Sequence, residues 1–357
     1  MERHPNIETA GSRGANGAPA REGAAVTNAA TKAQAAVTSH LAMYREMLLS
    51  RELSDRMFAL HRQGRAAFAV TGQGHEAVQV AAAHAVKRGT DWLLPYYRDV
   101  ALLVALGMTP EQVLLGLFAK ADDPNSGGRQ MPCHWSWPEM RVVTRSSVIA
   151  ANLPHAAGIA YAAKLRGLKE VAVVLFGEGA TSEGDFHESV NFAAIHRLPV
   201  VFLCENNGYA ISESQEKQMA VKHVADRAKA YGISGQTVDG NDLVAVHQAI
   251  AWGVGECRRG RGPKLIEAKT YRFSPHTSSD DDRRYRPRAE VEEWAKRDPI
   301  DRFRARLLEE GALTAEQDRA WRDKVKREVE AAVRRAEAAP DPAPESALLH
   351  VFAEDGR

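Results

Sequence analysis

Residues 171–176, VAVVLF, form an unbroken apolar run closed by Glu170 on one side and Gly177 on the other. A strand with one face in water alternates apolar and polar residues. A run that is apolar at every position must be covered on both faces. Such burial is the mark of a parallel strand inside an α/β sheet with helices on both sides. A second run of the same kind follows at 200–204, and the apolar spacing between them suits a helix over 183–196.

The rest of the chain extends this pattern. Helical periodicity predicts helices over 41–61, 74–87 and 156–165, others opening near Asp99 and Pro110, and two more over 221–231 and 243–257. Extended segments are expected at 91–97, 235–238 and 264–268. A long loop, 122–147, carries Pro124, Gly127, Gly128, Pro132 and Pro138, and a loop of that length in a compact domain is usually functional or disordered. From Ala289 to Pro340 the sequence reads as charged amphipathic helix. The expected fold is α/β, a doubly wound parallel sheet with a helical N-terminal part and a helical C-terminal tail.

Residues 1–36 differ. They are rich in Ala and Gly with almost no large apolar residues, so they cannot bury enough surface to offset their ordering entropy. The division expected is a disordered tail over 1–36 and one catalytic domain over 37–357. Arg13 and Arg21 leave a mitochondrial transit peptide open. Glu2, Glu8 and Glu22 speak for a bacterial, cytoplasmic tail instead.

Charge and cysteine content exclude several functions. With 47 basic and 46 acidic residues the net charge is +1, too even for a general polyanion binder, so no nucleic-acid partner is expected. No apolar run is long enough for a membrane span. Cys133, Cys204 and Cys257 have neither zinc-ligand nor disulfide spacing, as in a reducing compartment.

The chemistry concentrates where the two buried runs end. The first runs into Gly177, Glu178, Gly179 and Ala180; the second into Glu205, Asn206, Asn207, Gly208 and Tyr209. Open α/β sheets bind ligands beyond the carboxyl ends of their strands. Here two neighbouring ends present a carboxylate and a carboxamide to one crevice. Glycines let backbone amides approach an anion closely. Carboxylate and amide oxygens are hard ligands that suit magnesium, which binds few protein groups together with phosphate oxygens. The residues thus propose a magnesium–diphosphate site. An ordinary βα turn, with Asn206 and Asn207 as turn formers, stays open on these fragments alone.

Gly-Glu-Gly, then the 26 residues 180 through 205, then Asn-Asn resembles the thiamine diphosphate motif. The string GEGATSEGDFHESVNFAAIHRLPVVFLCENNGYAIS is similar to the α subunits of thiamine-diphosphate-dependent 2-oxo acid dehydrogenases. So are TGQGHEA (71–77), PYYRD (95–99), GRQMPCH (128–134), RSSVIAANLPHAAG (145–158), VDGND (238–242) and SPHTSSDDDRRYR (274–286), in the family's order. The resemblance covers roughly residues 41 to 338 and is nearest to the branched-chain, 2-oxoisovalerate-type enzymes.

The resemblance implies a thiamine-diphosphate-binding fold and a set of roles. Glu178, the Asn207 side chain and the Tyr209 carbonyl would hold Mg2+. Gly177, Gly179, Ala180 and Ile211 would border the cofactor, with amides of Gly179 and Ala180 on the diphosphate. Tyr97 and Arg98 would reach its far side. Ser147 and Ile149, at the start of a helix, would lie beside the thiazolium, with Ile149 holding the cofactor bent. His276 is the implied catalytic residue, assisting acyl transfer to a lipoyl group. His75 and His134 are expected to be structural or loop-lining. Asp280, Asp281, Asp282, Arg283, Arg284 and Arg286 would order a loop over the cofactor and the lipoyl arm, and the stretch around Phe68 would line the substrate pocket.

Two departures stand out. Val148 and Ala151 replace residues that hold a monovalent cation in some relatives. Glu205 stands where some relatives place an arginine near the diphosphate.

The implied reaction is decarboxylation of a small 2-oxo acid, with transfer of the acyl group to the lipoyl-lysine of a partner dihydrolipoyl acyltransferase. The glutamate that activates the cofactor belongs, in this family, to a β subunit, so an α2β2 heterotetramer is implied. Pyruvate and acetoin remain alternative substrates, and a catalytically dead regulatory homologue remains an alternative of another class.

Overall fold

The computed structural model describes the backbone of residues 20–351 and the side chains from 36 onward. Two compact units divide the chain, 1–40 and 41–357. Much of the expected 1–36 tail lies outside the described residues. From Ala20 the backbone belongs to helix α1, Ala20–Arg62.

In the second unit the elements run α2 (Glu76–Ala85), β1 (Trp92–Leu94), α3 (Val100–Leu106), α4 (Pro110–Leu117), α5 (Asn152–Leu165), β2 (Ala172–Gly177), α6 (Gly184–Ile195) and β3 (Val200–Asn206). There follow β4 (Tyr209–Ala210), β5 (Glu213–Ser214), the single turn α7 (Gln215–Gln218), β6 (Ser234–Asp239), α8 (Leu243–Arg258) and β7 (Lys264–Lys269). Helices α9 (Arg288–Ala295), α10 (Pro299–Glu309) and α11 (Ala315–Ala338) close the chain.

Five strands form one sheet in the order β1-β2-β3-β7-β6, and every pairing in it is parallel. The chain moves outward from β1 to β3, jumps to the edge strand β6, and returns to β7. Parallel crossovers are right-handed, so opposite directions of travel put their helices on opposite faces. Helix α6, between β2 and β3, therefore covers one face, and α8, between β6 and β7, the other. Side chains alternate accordingly. Val171, Val173, Leu175, Val201, Leu203 and Ile266 enter a core with α2, α3 and α8. Ala172, Val174, Phe176, Phe202 and Leu265 enter a second core with α5 and α6. This is why the 171–176 run has no polar position: each large apolar side chain buried contributes about 1.5–3 kcal/mol on either face.

Local chemistry sets several helix ends. Thr109 and Gln112 form a capping box at the start of α4, with Pro110 in its first turn, and Thr314 and Gln317 do the same for α11. Asp242 accepts from the amides of Val244 and Ala245 at the start of α8.

Three differences from the expected elements matter. The helix expected from 156 begins at Asn152; Pro154 is tolerated because a first-turn residue needs no amide donor. The segment expected as a helix over 221–231 is a 3-10 helix, Val224–Tyr231, ended by Gly232 in a left-handed conformation. The ribbon of β4 and β5, two residues per strand, was too short to leave a periodic signal. No helix among the described residues is long and apolar enough to cross a membrane.

Candidate active site

Strands β2 and β3 pair in register up to Gly177 opposite Glu205, so their next residues emerge side by side. Glu178 opens a 3-10 turn directly after β2 and is 1% exposed. Its Oε2 accepts a hydrogen bond from the Asn207 amide at 3.1 Å, which ties the two strand ends together. Its Oε1 is buried with no hydrogen-bond partner. Burial pushes the Glu178 carboxyl above its ordinary range. Asn207 Oδ1 accepts from the Tyr209 amide at 3.1 Å. Gly179 must be glycine, because a Cβ there would meet Ala210 Cβ at 2.7 Å. Gly208 takes a φ of +85°, which turns the chain into β4.

The opposite wall comes from the segment after β1 and from the 274–286 loop. Arg98 is 2% exposed and donates to Thr71 O at 3.0 Å. It also donates to Nδ1 of His276 at 2.8 Å and to the His276 carbonyl at 3.0 Å. Since guanidinium has no lone pair to offer, Nδ1 is the acceptor and the His276 proton resides on Nε2. Burial, then the charges of Arg98 and Arg272, pull the imidazole down to about 3, so it is neutral at physiological pH. Tyr97 meets the imidazole edge-on, with ring centroids 6.2 Å apart.

The loop is internally tied. The His276 amide donates to Asp280 at 2.8 Å, Tyr285 donates to the same carboxylate, and Arg286 pairs with Asp282 at 2.6 Å. Arg272 donates to Ile211 O at 2.9 Å and to the Tyr285 hydroxyl, joining the loop to the turn after β4. By contrast, Arg283 and Arg284 project into solvent near Asp281.

All the candidate residues line one cavity of about 230 Å³: Tyr97, Arg98, Ser147, Ile149, Gly177, Glu178, Gly179, Ala180, Asn207, Tyr209, Ile211 and His276. Ser147 and Ile149 lie not in the first turn of α5, as expected, but in the bend and turn just before it, where Ala150 has a φ of +65°. Ser147 hydrogen-bonds Nε2 of His134, a histidine that is itself not among the lining residues. Phe68 packs half-buried against the larger core and is not among the lining residues. A wider groove of about 830 Å³ shares Asn207 and Tyr209 but contains neither Glu178 with its flanking Gly177 and Gly179 nor His276.

Sequence reasoning missed two features. Glu205 is fully buried and accepts from His75 Nδ1 at 2.6 Å and from Gln79 at 3.1 Å. It therefore turns away from the cavity and belongs to a buried polar set under the site. The other is Arg145, a cavity-lining cation whose only sequence signal was its place at the head of the 145–158 motif.

With this geometry in view, residues 44–345 match the family described as Dehydrogenase E1 component. The chain belongs to that family. The relatives that follow are named as α subunits. It is 49% identical over 312 residues to the 2-oxoisovalerate dehydrogenase subunit alpha of Bacillus subtilis, covering 87% of this chain and 94% of that one. It is 39% identical over 315 residues to the mitochondrial 2-oxoisovalerate dehydrogenase subunit alpha of Homo sapiens, covering 88% of this chain and 70% of the other. It is also 39% identical over 299 residues to the pyruvate dehydrogenase E1 component subunit alpha of Bacillus cereus, covering 84% and 78%. The family expected from the motifs is thus the one found, and the protein is an oxidoreductase subunit of the 2-oxo acid dehydrogenase E1 type.

Proposed function

We propose that this chain is the cofactor-anchoring half of a branched-chain 2-oxo acid dehydrogenase. With a β subunit, in an α2β2 assembly, it decarboxylates 2-oxoisovalerate and related acids. The acyl group passes to a lipoyl group on a partner dihydrolipoyl acyltransferase. The observation that carries this reading is the cavity in which the unpartnered Glu178 Oε1 meets Asn207, the glycine turn and His276.

A buried carboxylate oxygen without a donor is unfavourable, and a cation removes the penalty. Glu178 and Asn207 supply side-chain oxygens and Tyr209 a carbonyl, a donor set that fits Mg2+ sharing its remaining positions with phosphate oxygens. The amides of Gly179 and Ala180 would hold the diphosphate. When bound, thiamine diphosphate supplies the nucleophilic carbon and the electron sink for loss of carbon dioxide.

The chain's own residues then bind, orient and stabilise. Ile149 presents a rigid aliphatic surface to the cofactor ring. Arg98 fixes His276 in one tautomer, with Nε2–H free to donate. A neutral donor of this kind would stabilise the thiolate that is released as the lipoyl S–S bond opens to accept the acyl group. The 274–286 loop holds that imidazole in place through Asp280.

The greater identity to a 2-oxoisovalerate enzyme than to a pyruvate enzyme supports the branched-chain substrate. The free, buried state of Cys133, Cys204 and Cys257 fits a reducing, cytoplasmic setting. The test is kcat/KM of the assembled α and β chains on each acid. The expected result is a clear preference for 2-oxoisovalerate. Equal efficiencies, or a preference for pyruvate, would overturn the substrate assignment.

A further inference from the structure

Arg145, the first residue of the 145–158 motif, lines the cavity, and no role has been assigned to it above. It lies in the segment leading into α5, and it is 3% exposed. One terminal nitrogen donates to Val148 O at 3.2 Å, while its Nε is buried with no partner. The guanidinium lies 5.5 Å from the centroid of the Tyr97 ring, and the same ring carries Arg98 at 5.1 Å.

Among the described residues no carboxylate forms an ion pair with Arg145. The acidic group that acts on it is Asp99, which accepts from the Tyr96 amide at 2.7 Å. Burial and the nearby Glu205 push the Asp99 carboxyl well up, toward its neutral form. A guanidinium stays protonated even when burial lowers its pKa. Its positive charge is buried with no carboxylate in an ion pair and with Nε unpartnered, an arrangement that is unfavourable unless an anion joins it.

We propose that Arg145 is an anion subsite of this cavity and that its ligand is the diphosphate of the cofactor, held between Arg145 and Arg98. This rests on the reading of the cavity as a diphosphate site. Two arginines around one tyrosine ring suit a group with several charged oxygens better than a single carboxylate. Arg98 already spends donors on Thr71 and His276, so Arg145 is the cation with donors left to give. Glu205, near the end of β3, turns into the protein to meet His75, which leaves Arg145 to supply positive charge at the cavity.

The experiment uses the assembled α and β chains with Mg2+. Calorimetry measures thiamine diphosphate and inorganic pyrophosphate on the wild type, Arg145→Gln and Arg145→Lys, with thermal melts on the same samples. Arg145→Gln should bind both ligands about 10–100-fold more weakly, the worth of charge-assisted hydrogen bonds. Arg145→Lys should recover part of the loss, since the charge stays and the fork goes. The KM for the 2-oxo acid at saturating cofactor should not move. Unchanged affinity for both ligands in folded Arg145→Gln overturns the proposal. A raised KM with unchanged cofactor affinity also overturns it, and gives Arg145 to the substrate carboxylate. If Arg145→Gln fails to assemble, Arg145→Lys decides: wild-type pyrophosphate affinity there overturns the proposal, and weakened affinity supports it. Wild-type enzyme that binds neither ligand would instead overturn the reading of the cavity on which the proposal rests.

Discussion

Glu178→Gln separates a binding role from a structural one, because the two predict opposite signs. The substitution keeps the side chain's size and an oxygen able to accept from the Asn207 amide, now at 3.1 Å. It removes a charge that burial disfavours and an oxygen, Oε1, that has no partner. Without cofactor, the Gln variant should be as stable as the wild type or more so, since a neutral amide is cheaper to bury than an unpaired carboxylate. With Mg2+ and thiamine diphosphate the sign reverses. Removing one partner of a buried opposite-charge contact costs about 3–5 kcal/mol. At about 1.4 kcal/mol per tenfold, that is roughly 10²- to 4×10³-fold in cofactor affinity. Calorimetry on the assembled chains, with melts in the presence and absence of cofactor, measures both. Unchanged cofactor affinity would refute the reasoning. A variant that loses stability without cofactor would make Glu178 a pin between β2 and β3 and nothing more.

His276 gives two further predictions. His276→Ala should slow acylation of lipoyl domains by about 10²–10⁴-fold, the usual worth of a positioned acid–base group, while cofactor affinity and turnover with an artificial electron acceptor change far less; near-wild-type acylation in the Ala or Gln variant would remove His276 from the catalytic residues. The second concerns pH. The imidazole titrates at about 3 in the folded chain against 6.5 ordinarily, so between those values the unfolded chain binds more protons and stability falls as the pH drops. Its contribution is complete above pH 6.5 and is lost progressively from there down toward 3. Urea unfolding across that window should show a steeper acid loss for the wild type than for His276→Gln, and parallel profiles would contradict the assignment.

What could be read from the sequence was what short-range pattern encodes. Runs 171–176 and 200–204 announced themselves because a strand between two cores has no polar face. The glycine turn and the Asn pair were legible because strand ends, close backbone approach and hard oxygen ligands follow from residue type and order. Long-range pairing was not legible. Whether Glu205 faces the cavity or the core depends on His75, which is 130 residues away in sequence. Arg98 was legible as a candidate at the diphosphate, but its hold on His276, a partner 178 residues distant, was not. The start of α5 was misplaced for a similar reason. Its flanking Ala151 has no capping side chain, and Asn152 instead donates across to Leu175 O at 3.1 Å, a contact that only the folded sheet provides. Arg145 was invisible because an uncompensated charge can be recognised only once its surroundings are known.

The central claim is that this chain anchors the cofactor and cannot complete the reaction alone. It is tested most directly by carbon dioxide release from 2-oxoisovalerate, with thiamine diphosphate and Mg2+, by the purified chain, by its β subunit, and by the two together. Release should occur only from the mixture, and should then be accompanied by acylation of added lipoyl domains. Turnover by rigorously β-free protein, or a mixture that binds cofactor yet releases no carbon dioxide, would contradict the account.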